Sequence, residues 1–185
     1  MTTFTPLALP EVILATPRRF GDARGYFCET YVKPRYEAGG IRADFVQDNE
    51  SLSETVGTIR GLHLQAPPFA QAKLVRVLDG AIFDVAIDVR RSSPSYGRWV
   101  GATLTAEGGE QLFIPQGFAH GFVTLAPGTR VAYKVDAVYD RDSERGIIWN
   151  DPDLAIDWSV AAGAAVLSDK DLVLPRFKDF DSPFA

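Results

Sequence analysis

Short β-prone runs separated by turn residues constrain the fold of this chain more than any other feature. Among 185 residues, 16 glycines and 12 prolines interrupt the sequence too often for long helices. The best candidate for a helix is the short segment 33–38, which Gly39-Gly40 ends. Many short strands with turns at regular spacing predict a mostly β sandwich, jelly roll or small barrel. At this length we expect one domain with N- and C-terminal extensions.

The clearest hairpin is predicted over residues 73–88, because Asp79-Gly80 is a strong two-residue turn signal between β-branched runs. In that register Lys73 and Asp84 are diagonal neighbours, close enough for their side chains to meet. Alternation places Val75, Val77, Ile82 and Ala86 on their face and Leu74, Leu78, Phe83, Val85 and Ile87 on the other. Further extended segments are predicted at 11–15, 26–31, 45–49, 99–105, 111–114, 120–125 and 129–138.

Charge and cysteine content narrow the classes of function. The net charge is −5 and basic residues form no blocks, so we expect no nucleic-acid partner. A single cysteine, Cys28, excludes an internal disulfide and favours a reducing compartment, which predicts a cytoplasmic protein. Neither an apolar span of about 18 residues nor a signal peptide is recognisable, so we expect no membrane association.

The two histidines, His63 and His120, argue against a metal centre. Metal sites in β-barrels typically use two histidines one residue apart, plus an acid and a third histidine. Here Gln65 and Phe122 stand two residues after the histidines. We therefore predict no metal, although a structural role in hydrogen bonding is open to either imidazole.

A base and a cation occur close together in the run from Arg60 to Lys73. The imidazole of histidine, with an unperturbed pKa of about 6.5, can act as a base at neutral pH when a carboxylate orients it. Asp84, Asp169 and Asp171 are all candidates for the carboxylate beside His63, and spacing does not choose among them. An inward-facing Lys73 needs a carboxylate, an anionic ligand or a developing oxyanion. A plain ion pair with Asp84 is the structural alternative.

Tyr133 is a candidate acid, since a phenol with a pKa of about 10 is normally protonated. It shares one strand face with Val131 and Val135, so a simple core aromatic is the alternative. Arg60 and His63 have opposite parity on a regular strand, and a bulge at Gly61 would re-aim one of them. Guanidinium groups that could bind phosphate are those of Arg24, Arg60, Arg76 and Arg130.

Distinctive motifs occur in order over nearly the whole chain. The central motifs are Arg60-Gly-Leu-His63-Leu-Gln65, Gln71-Ala-Lys73-Leu-Val and Asp84-Val-Ala-Ile-Asp88. The others are Phe20-Gly-Asp-x-Arg24-Gly, Phe45-Val-Gln47-Asp48-Asn49, Ser93-Pro-x-Tyr96-Gly, Ile114-Pro-x-Gly-Phe-Ala-His120-Gly-Phe, Tyr133-Lys134, Trp149-Asn-Asp151-Pro and Leu167-Ser-x-Lys170-Asp171. Together these motifs resemble the dTDP-4-dehydrorhamnose 3,5-epimerase family of sugar-nucleotide isomerases.

The resemblance implies a single cupin-type jelly-roll domain over residues 1–185 that needs neither metal nor cofactor. It also implies a homodimer that exchanges N-terminal strands, and a dTDP-4-keto-6-deoxy sugar as substrate. By motif position, His63 is the implied base with Asp171 as its partner, and Tyr133 delivers a proton from the opposite face. Lys73 stabilises the enolate oxygen, while His120, supported by Asp84, lies beside the sugar.

The resemblance further assigns nucleotide- or sugar-contacting positions. Arg24 and Arg60 are the implied diphosphate ligands, and Phe20 is the implied stacking partner of thymine. The remaining contacts are Glu29, Gln47, Asn49, Glu144 and Lys170.

Departures from the family pattern lie outside the matched catalytic set. Glu50 follows Asn49 where the family often has histidine, and Pro67-Pro68 stiffens the following loop. Three alternatives stay open: a mono-epimerase that inverts only C3 or only C5, a non-catalytic sugar-binding jelly roll, and a metal-dependent cupin oxygenase. The metal-dependent oxygenase is disfavoured because position 65, two residues after His63, holds glutamine instead of histidine.

Overall fold

Two antiparallel sheets face each other across an apolar core in the computed structural model, which describes residues 1–160 and 162–185. The first sheet has the strand order β1-β2-β10-β7-β12-β5 and the second has the order β13-β6-β11-β8-β9. A separate two-stranded sheet pairs β3 with β4. The strands are β1 Thr3–Pro6, β2 Ile13–Thr16, β3 Arg19–Asp22, β4 Gly25–Cys28, β5 Gln47–Ser53, β6 Ile59–Gln65, β7 Lys73–Asp79, β8 Ala81–Asp88, β9 Trp99–Thr105, β10 Gln111–Ile114, β11 Phe118–Thr124, β12 Thr129–Val135 and β13 Glu144–Gly146. Two short helices complete the set, α1 Lys33–Ala38 and α2 Asp169–Leu172, with 3₁₀ turns at Ala162–Ala164 and Phe177–Asp179. This is the cupin-type jelly-roll barrel predicted from the sequence.

The hairpin predicted over residues 73–88 is wrong in its pairing. β7 pairs with β10 and β12, whereas β8 pairs with β9 and β11, so the turn carries the chain from one sheet to the other. Gly80 makes this turn with φ +80°, and a Cβ there would lie 2.4 Å from the Thr129 hydroxyl. A local turn signal indicates that the chain reverses, but it does not determine which strands then form hydrogen bonds.

The predicted face assignment is nevertheless correct, because β7 and β8 present the same residues to the space between the sheets. Val75, Val77, Ile82 and Ala86 all belong to the buried cluster there. Lys73 and Asp84 face each other across the barrel rather than along one sheet. Alternation depends only on the pleat of each strand, so it survives an error in strand pairing.

The outer faces of both sheets are covered as well. Leu74 packs beneath α1 against the fully buried Tyr36. Val85 and Ile87 pack against the C-terminal segment through Trp149 and Trp158. Strands buried on both faces have nearly continuous apolar sequences, as β8 does. The described residues include no helix with the length and apolar character needed to cross a membrane. Location in the cytoplasm stays a prediction.

The β3–β4 hairpin projects from the barrel with large apolar side chains in solvent. Phe20, Tyr26 and Phe27 are 48%, 60% and 68% exposed. The Arg19 guanidinium lies 4.2 Å from the centre of the Tyr26 ring and donates to the carbonyl of Ala106 at 2.6 Å. Phe20 and Phe27 pair across the two strands and share one face, where the Arg18 guanidinium lies 5.0 Å from the centre of the Phe20 ring. Much of this aromatic face stays open to solvent, although an isolated two-stranded hairpin is only marginally stable in water.

Candidate active site

A cavity of about 640 Å³ opens between the two sheets and collects the side chains that the sequence singled out. His63 on β6 and His120 on β11 line it from the second sheet. Lys73 on β7 and Tyr133 on β12 line it from the first sheet. The candidate base and the candidate acid therefore lie on opposite walls of one cavity.

His63 and Asp171 form a hydrogen-bonded pair, with His63 Nε2 at 2.5 Å from Asp171 Oδ1. Burial is the largest single effect and acts to raise the pKa of Asp171, but the hydrogen bond and charge of His63, with smaller effects of Ser168 and Lys170, together hold that pKa below its ordinary value. An ionised carboxylate can only accept hydrogen bonds, so His63 donates through Nε2–H. Its Nδ1 keeps a lone pair that can take up a proton. Of the three carboxylates that spacing left open, Asp171 is the one that contacts this imidazole.

Backbone pairing brings Asp171 to β6 from far along the chain. Ile59 N–H donates to the carbonyl of Val166 at 2.9 Å, and Val166 N–H donates to Gly57 at 3.0 Å. The helix α2 follows, and its N-cap residue Ser168 accepts from the backbone N–H of Asp171 at 3.3 Å. A capped helix start fixes the carboxylate in the first turn, directly beneath the imidazole.

A bulge in β6 resolves the parity conflict between Arg60 and His63. His120 pairs with His63, but Phe122 pairs with Arg60, so Gly61 and Leu62 of β6 lie opposite the single residue Gly121 of β11. Gly61 lies at the bulge with φ +123°, and a Cβ there would lie 2.6 Å from the backbone of Gly121 and His120. Only glycine fits such a close approach of two backbones. Both Arg60 and His63 consequently line the same cavity.

The second histidine has its own carboxylate, with His120 Nε2 at 2.6 Å from Asp84 Oδ1. Burial, opposed by the charge of Asp84, lowers the pKa of His120 and favours the neutral ring. Asp84 is fully buried, and its other oxygen, Oδ2, has no hydrogen-bond partner among the described residues. Its charge acts on Lys73, whose pKa it raises against the effect of burial. The predicted pairing of His120 with Asp84 is thus present in the geometry.

The Lys73 ammonium is half-buried and lies 3.5 Å from the backbone carbonyl of His63. Burial lowers the pKa of Lys73 to about 8, against the opposing charges of Asp84 and Glu144. No direct ion pair between Lys73 and Asp84 forms among the described contacts, so the plain structural alternative does not account for this lysine. An ammonium with few fixed partners at the wall of a cavity can bind an oxygen of a ligand.

Tyr133 presents its hydroxyl to the cavity, where it lies 2.9 Å from the Ser51 hydroxyl. Burial raises the pKa of Tyr133 to about 12, although the bond with Ser51 opposes this. The phenol is therefore protonated at neutral pH and can donate. Sequence reasoning missed Ser51, because a serine on a strand carries no distinguishing signal.

Two other predicted contact residues, Asn49 and Lys170, line the cavity, and each contacts a further predicted residue outside the lining. Lys170 forms an ion pair with Glu144, which also accepts from the Tyr139 hydroxyl at 3.1 Å. Gln47 donates to Asn49 at 2.7 Å and accepts from the backbone of Tyr139 at 3.1 Å. Tyr139 was also missed from the sequence, although its half-exposed ring lies within this network.

Three predicted contact residues lie away from this cavity. Phe20 and Arg24 belong to the projecting β3–β4 hairpin, where Arg24 pairs with Asp22 at 2.6 Å. Glu29 follows the hairpin and binds Arg35 at 2.9 Å. A single chain therefore does not bring these side chains to His63.

Chemically, the cavity combines an oriented base, an opposed acid and a cation. Within residues 1–160 and 162–185, no group of three or more histidine, cysteine, aspartate or glutamate side chains is arranged to hold a metal ion. The fold and this site define an acid/base enzyme of the cupin-type jelly-roll class.

Comparison with known proteins makes this class specific. A family model described as dTDP-4-dehydrorhamnose 3,5-epimerase matches residues 6–179. A curated enzyme of that name from Sinorhizobium fredii is 51% identical over 98% of this chain and 92% of its own length. The chain therefore belongs to the dTDP-4-dehydrorhamnose 3,5-epimerase family, as its motifs predicted.

Solved structures agree with this assignment. The Bacillus anthracis dTDP-4-dehydrorhamnose 3,5-epimerase with TDP and PPi bound matches with a TM-score of 0.92 and 47% identity, covering 96% of this chain and 100% of that chain. A 3,5-epimerase from Legionella pneumophila in complex with dTDP-4-keto-L-rhamnose matches with a TM-score of 0.92 and 42% identity, covering 98% of this chain and 95% of that chain.

Proposed function

We propose that this protein converts dTDP-4-dehydro-6-deoxy-D-glucose to dTDP-4-dehydro-L-rhamnose by inverting C3 and C5. The observation that carries the proposal is the opposition of the His63–Asp171 pair and Tyr133 across one cavity. Inversion at a carbon requires removal of a proton from one face and delivery of a proton to the other. Two walls that carry a base and an acid meet this requirement.

The reaction begins at a C–H bond beside the C4 ketone, where a proton is only weakly acidic. His63 Nδ1 accepts that proton, and the imidazolium is stabilised by the buried carboxylate of Asp171. The electron pair moves into the carbonyl and forms an enolate. Tyr133 then donates its proton to the opposite face of the same carbon, and the ketone is restored. Electrons only shift within the sugar, so the step needs no redox partner.

The enolate oxygen needs a positive group, which we assign to the Lys73 ammonium. A preformed cation in a site with little water stabilises a developing oxyanion more than it stabilises a neutral carbonyl. His120, held by Asp84, would contact the sugar from the facing wall. A general base typically contributes about 10²–10⁴-fold, so stabilisation of the enolate has to supply much of the remaining acceleration.

The nucleotide would extend from the cavity toward its entrance. Arg60 lines the cavity and is fixed by Ser53 at 3.1 Å and by the carbonyl of Leu52 at 2.8 Å, which leaves a partly free guanidinium edge for the diphosphate. The polar residues at the entrance that we assign to nucleotide and sugar binding are Gln47, Asn49, Glu144 and Lys170.

We also propose that the protein is a homodimer in which the β3–β4 hairpin of one chain completes the cavity of the other. The exposed aromatic face of the hairpin and the distance of Phe20, Arg24 and Glu29 from their own cavity support this arrangement. Phe20 would stack on thymine, and Arg24 would bind the diphosphate, each in the partner's site.

Complementation between two inactive variants tests this exchange. Arg24→Ala and His63→Ala should each lose most activity, and refolding them together should restore it in mixed dimers. The Arg24→Ala subunit would then combine its own His63 with Arg24 of the partner. Activity that stays at the level of the separate variants, although mixed dimers are present by mass spectrometry, would contradict the exchange.

Deuterium labelling tests the reaction itself. In D₂O with dTDP-4-dehydro-6-deoxyglucose, we expect deuterium at both C3 and C5 of the product, detected by NMR. Label at one carbon would instead indicate a mono-epimerase, and the absence of label would indicate a binding protein. Omitting the enzyme gives the background exchange of the free ketone.

A further inference from the structure

The Tyr133 hydroxyl has one hydrogen-bond partner in the part of the chain that the structure describes. That group is the hydroxyl of Ser51 on β5, at 2.9 Å. Ser51 pairs with Val131 on β12, two residues from Tyr133, so its side chain lies on the inward face beside the phenol. It is half-buried and lines the same cavity. The position is fixed by the register of two strands rather than by a loop.

Two successive inversions require that the Tyr133 hydroxyl be reprotonated between them. Each inversion puts one proton on His63 and takes one proton from Tyr133. An enzyme that inverts two centres must therefore recharge Tyr133 before the second inversion, while the sugar still fills the cavity. Tyr133 is half-buried and lines the cavity, so a sugar bound there separates the phenol from bulk water. A phenolate formed there takes a proton readily from any donor that reaches it.

We propose that Ser51 acts through Tyr133 by relaying protons to the phenol between the two inversions. This inference rests on the proposed function. The seryl proton moves to the phenolate oxygen while the seryl oxygen takes a proton from a water molecule, and the imidazolium of His63 returns its proton to solvent. Each O–H bond that breaks is replaced, so a complete cycle consumes no proton.

Burial and the hydrogen bond with Ser51 affect the pKa of Tyr133 more than neighbouring charges do. Burial raises this pKa most and the bond with Ser51 lowers it, whereas the carboxylate of Asp84 raises it less and the guanidinium of Arg60 lowers it least. Ser51 is thus the group that touches the oxygen on which the charge appears. A hydroxyl suits the role because it donates and accepts at once.

The test compares Ser51→Ala with Ser51→Thr, which keeps the hydroxyl and is compatible with a strand. In a rapid-quench reaction in D₂O with enzyme in excess, Ser51→Ala should complete the first inversion at nearly the wild-type rate. The second inversion should slow by about 10-fold or more, within the range that proton transfer contributes. A singly inverted, singly deuterated sugar would then accumulate, whereas Ser51→Thr should behave like the wild type.

Equal slowing of both inversions in Ser51→Ala would overturn the relay, since loss of phenol positioning alone affects both steps alike. Unchanged kinetics would overturn it as well. With substrate in excess, the same variant should show a burst of about one inversion per site followed by a slow phase, as expected when regeneration of the acid becomes limiting. The burst requires only one inverted centre, so it tests the relay separately from the proposed double inversion.

Discussion

Replacing His63 by alanine is expected to lower turnover by about 10²–10⁴-fold, the usual contribution of a general base. The imidazole lines the cavity and keeps the Nδ1 lone pair for a proton, because Nε2–H is engaged by Asp171 at 2.5 Å. Affinity for dTDP should change little, since the nucleotide contacts that we propose lie elsewhere. Deuterium exchange at C3 and C5 reports the first quantity, and calorimetric titration with dTDP reports the second.

Asp171→Asn is the matched control for this variant. The amide nearly preserves the shape of the carboxylate, but its NH₂ group can donate to Nε2 and thereby shift the imidazole proton to Nδ1. We expect slower exchange together with unchanged dTDP affinity. Exchange at the wild-type rate in His63→Ala would remove this imidazole from the reaction, and loss of dTDP binding would indicate a structural role instead.

Local signals in the sequence predicted several elements of the fold closely, but they did not predict β1, β3 or β13. The helix at residues 33–38 and the strands at 99–105 and 111–114 have the predicted bounds, because a proline near the helix start and glycines at the turns define them. The pairing of β7 with β8 failed, since the choice between neighbouring and facing strands depends on the whole barrel. Topology of this kind came from the family resemblance rather than from any local pattern.

The sequence predicted those site residues whose direction follows from the alternation of side chains along a strand. The inward positions of Lys73, Asp84 and Tyr133 follow from strand pleats. Asp171 could not be chosen by spacing, because 108 residues separate it from His63. The resemblance of the Leu167-Ser-x-Lys170-Asp171 motif to the family pattern identified it. From the sequence, β6 could be either a regular strand or a strand with a bulge at Gly61. The close approach of the Gly121 backbone, which is visible only in the structure, explains why the bulge forms at this glycine.

The second large effect that we expect on activity comes from the charge of Lys73, whose loss at alkaline pH should lower kcat/KM. Burial lowers the pKa of Lys73 to about 8, so the ammonium is present below that pH and is lost above it. If the ammonium stabilises the enolate, kcat/KM should fall as pH rises through about 8, because kcat/KM reports groups of the free enzyme. A lysine with its ordinary pKa would move this fall more than two pH units higher.

Lys73→Met should lower kcat/KM by about 10²–10³-fold, the cost of removing one group that stabilises an oxyanion, and should abolish the alkaline decline. Lys73→Arg keeps a charge that does not titrate in this range, so its decline should also disappear while part of the activity survives. Profiles of kcat/KM against pH for the three proteins measure both effects. A decline that stays near pH 8 in Lys73→Met would assign the titration to another group.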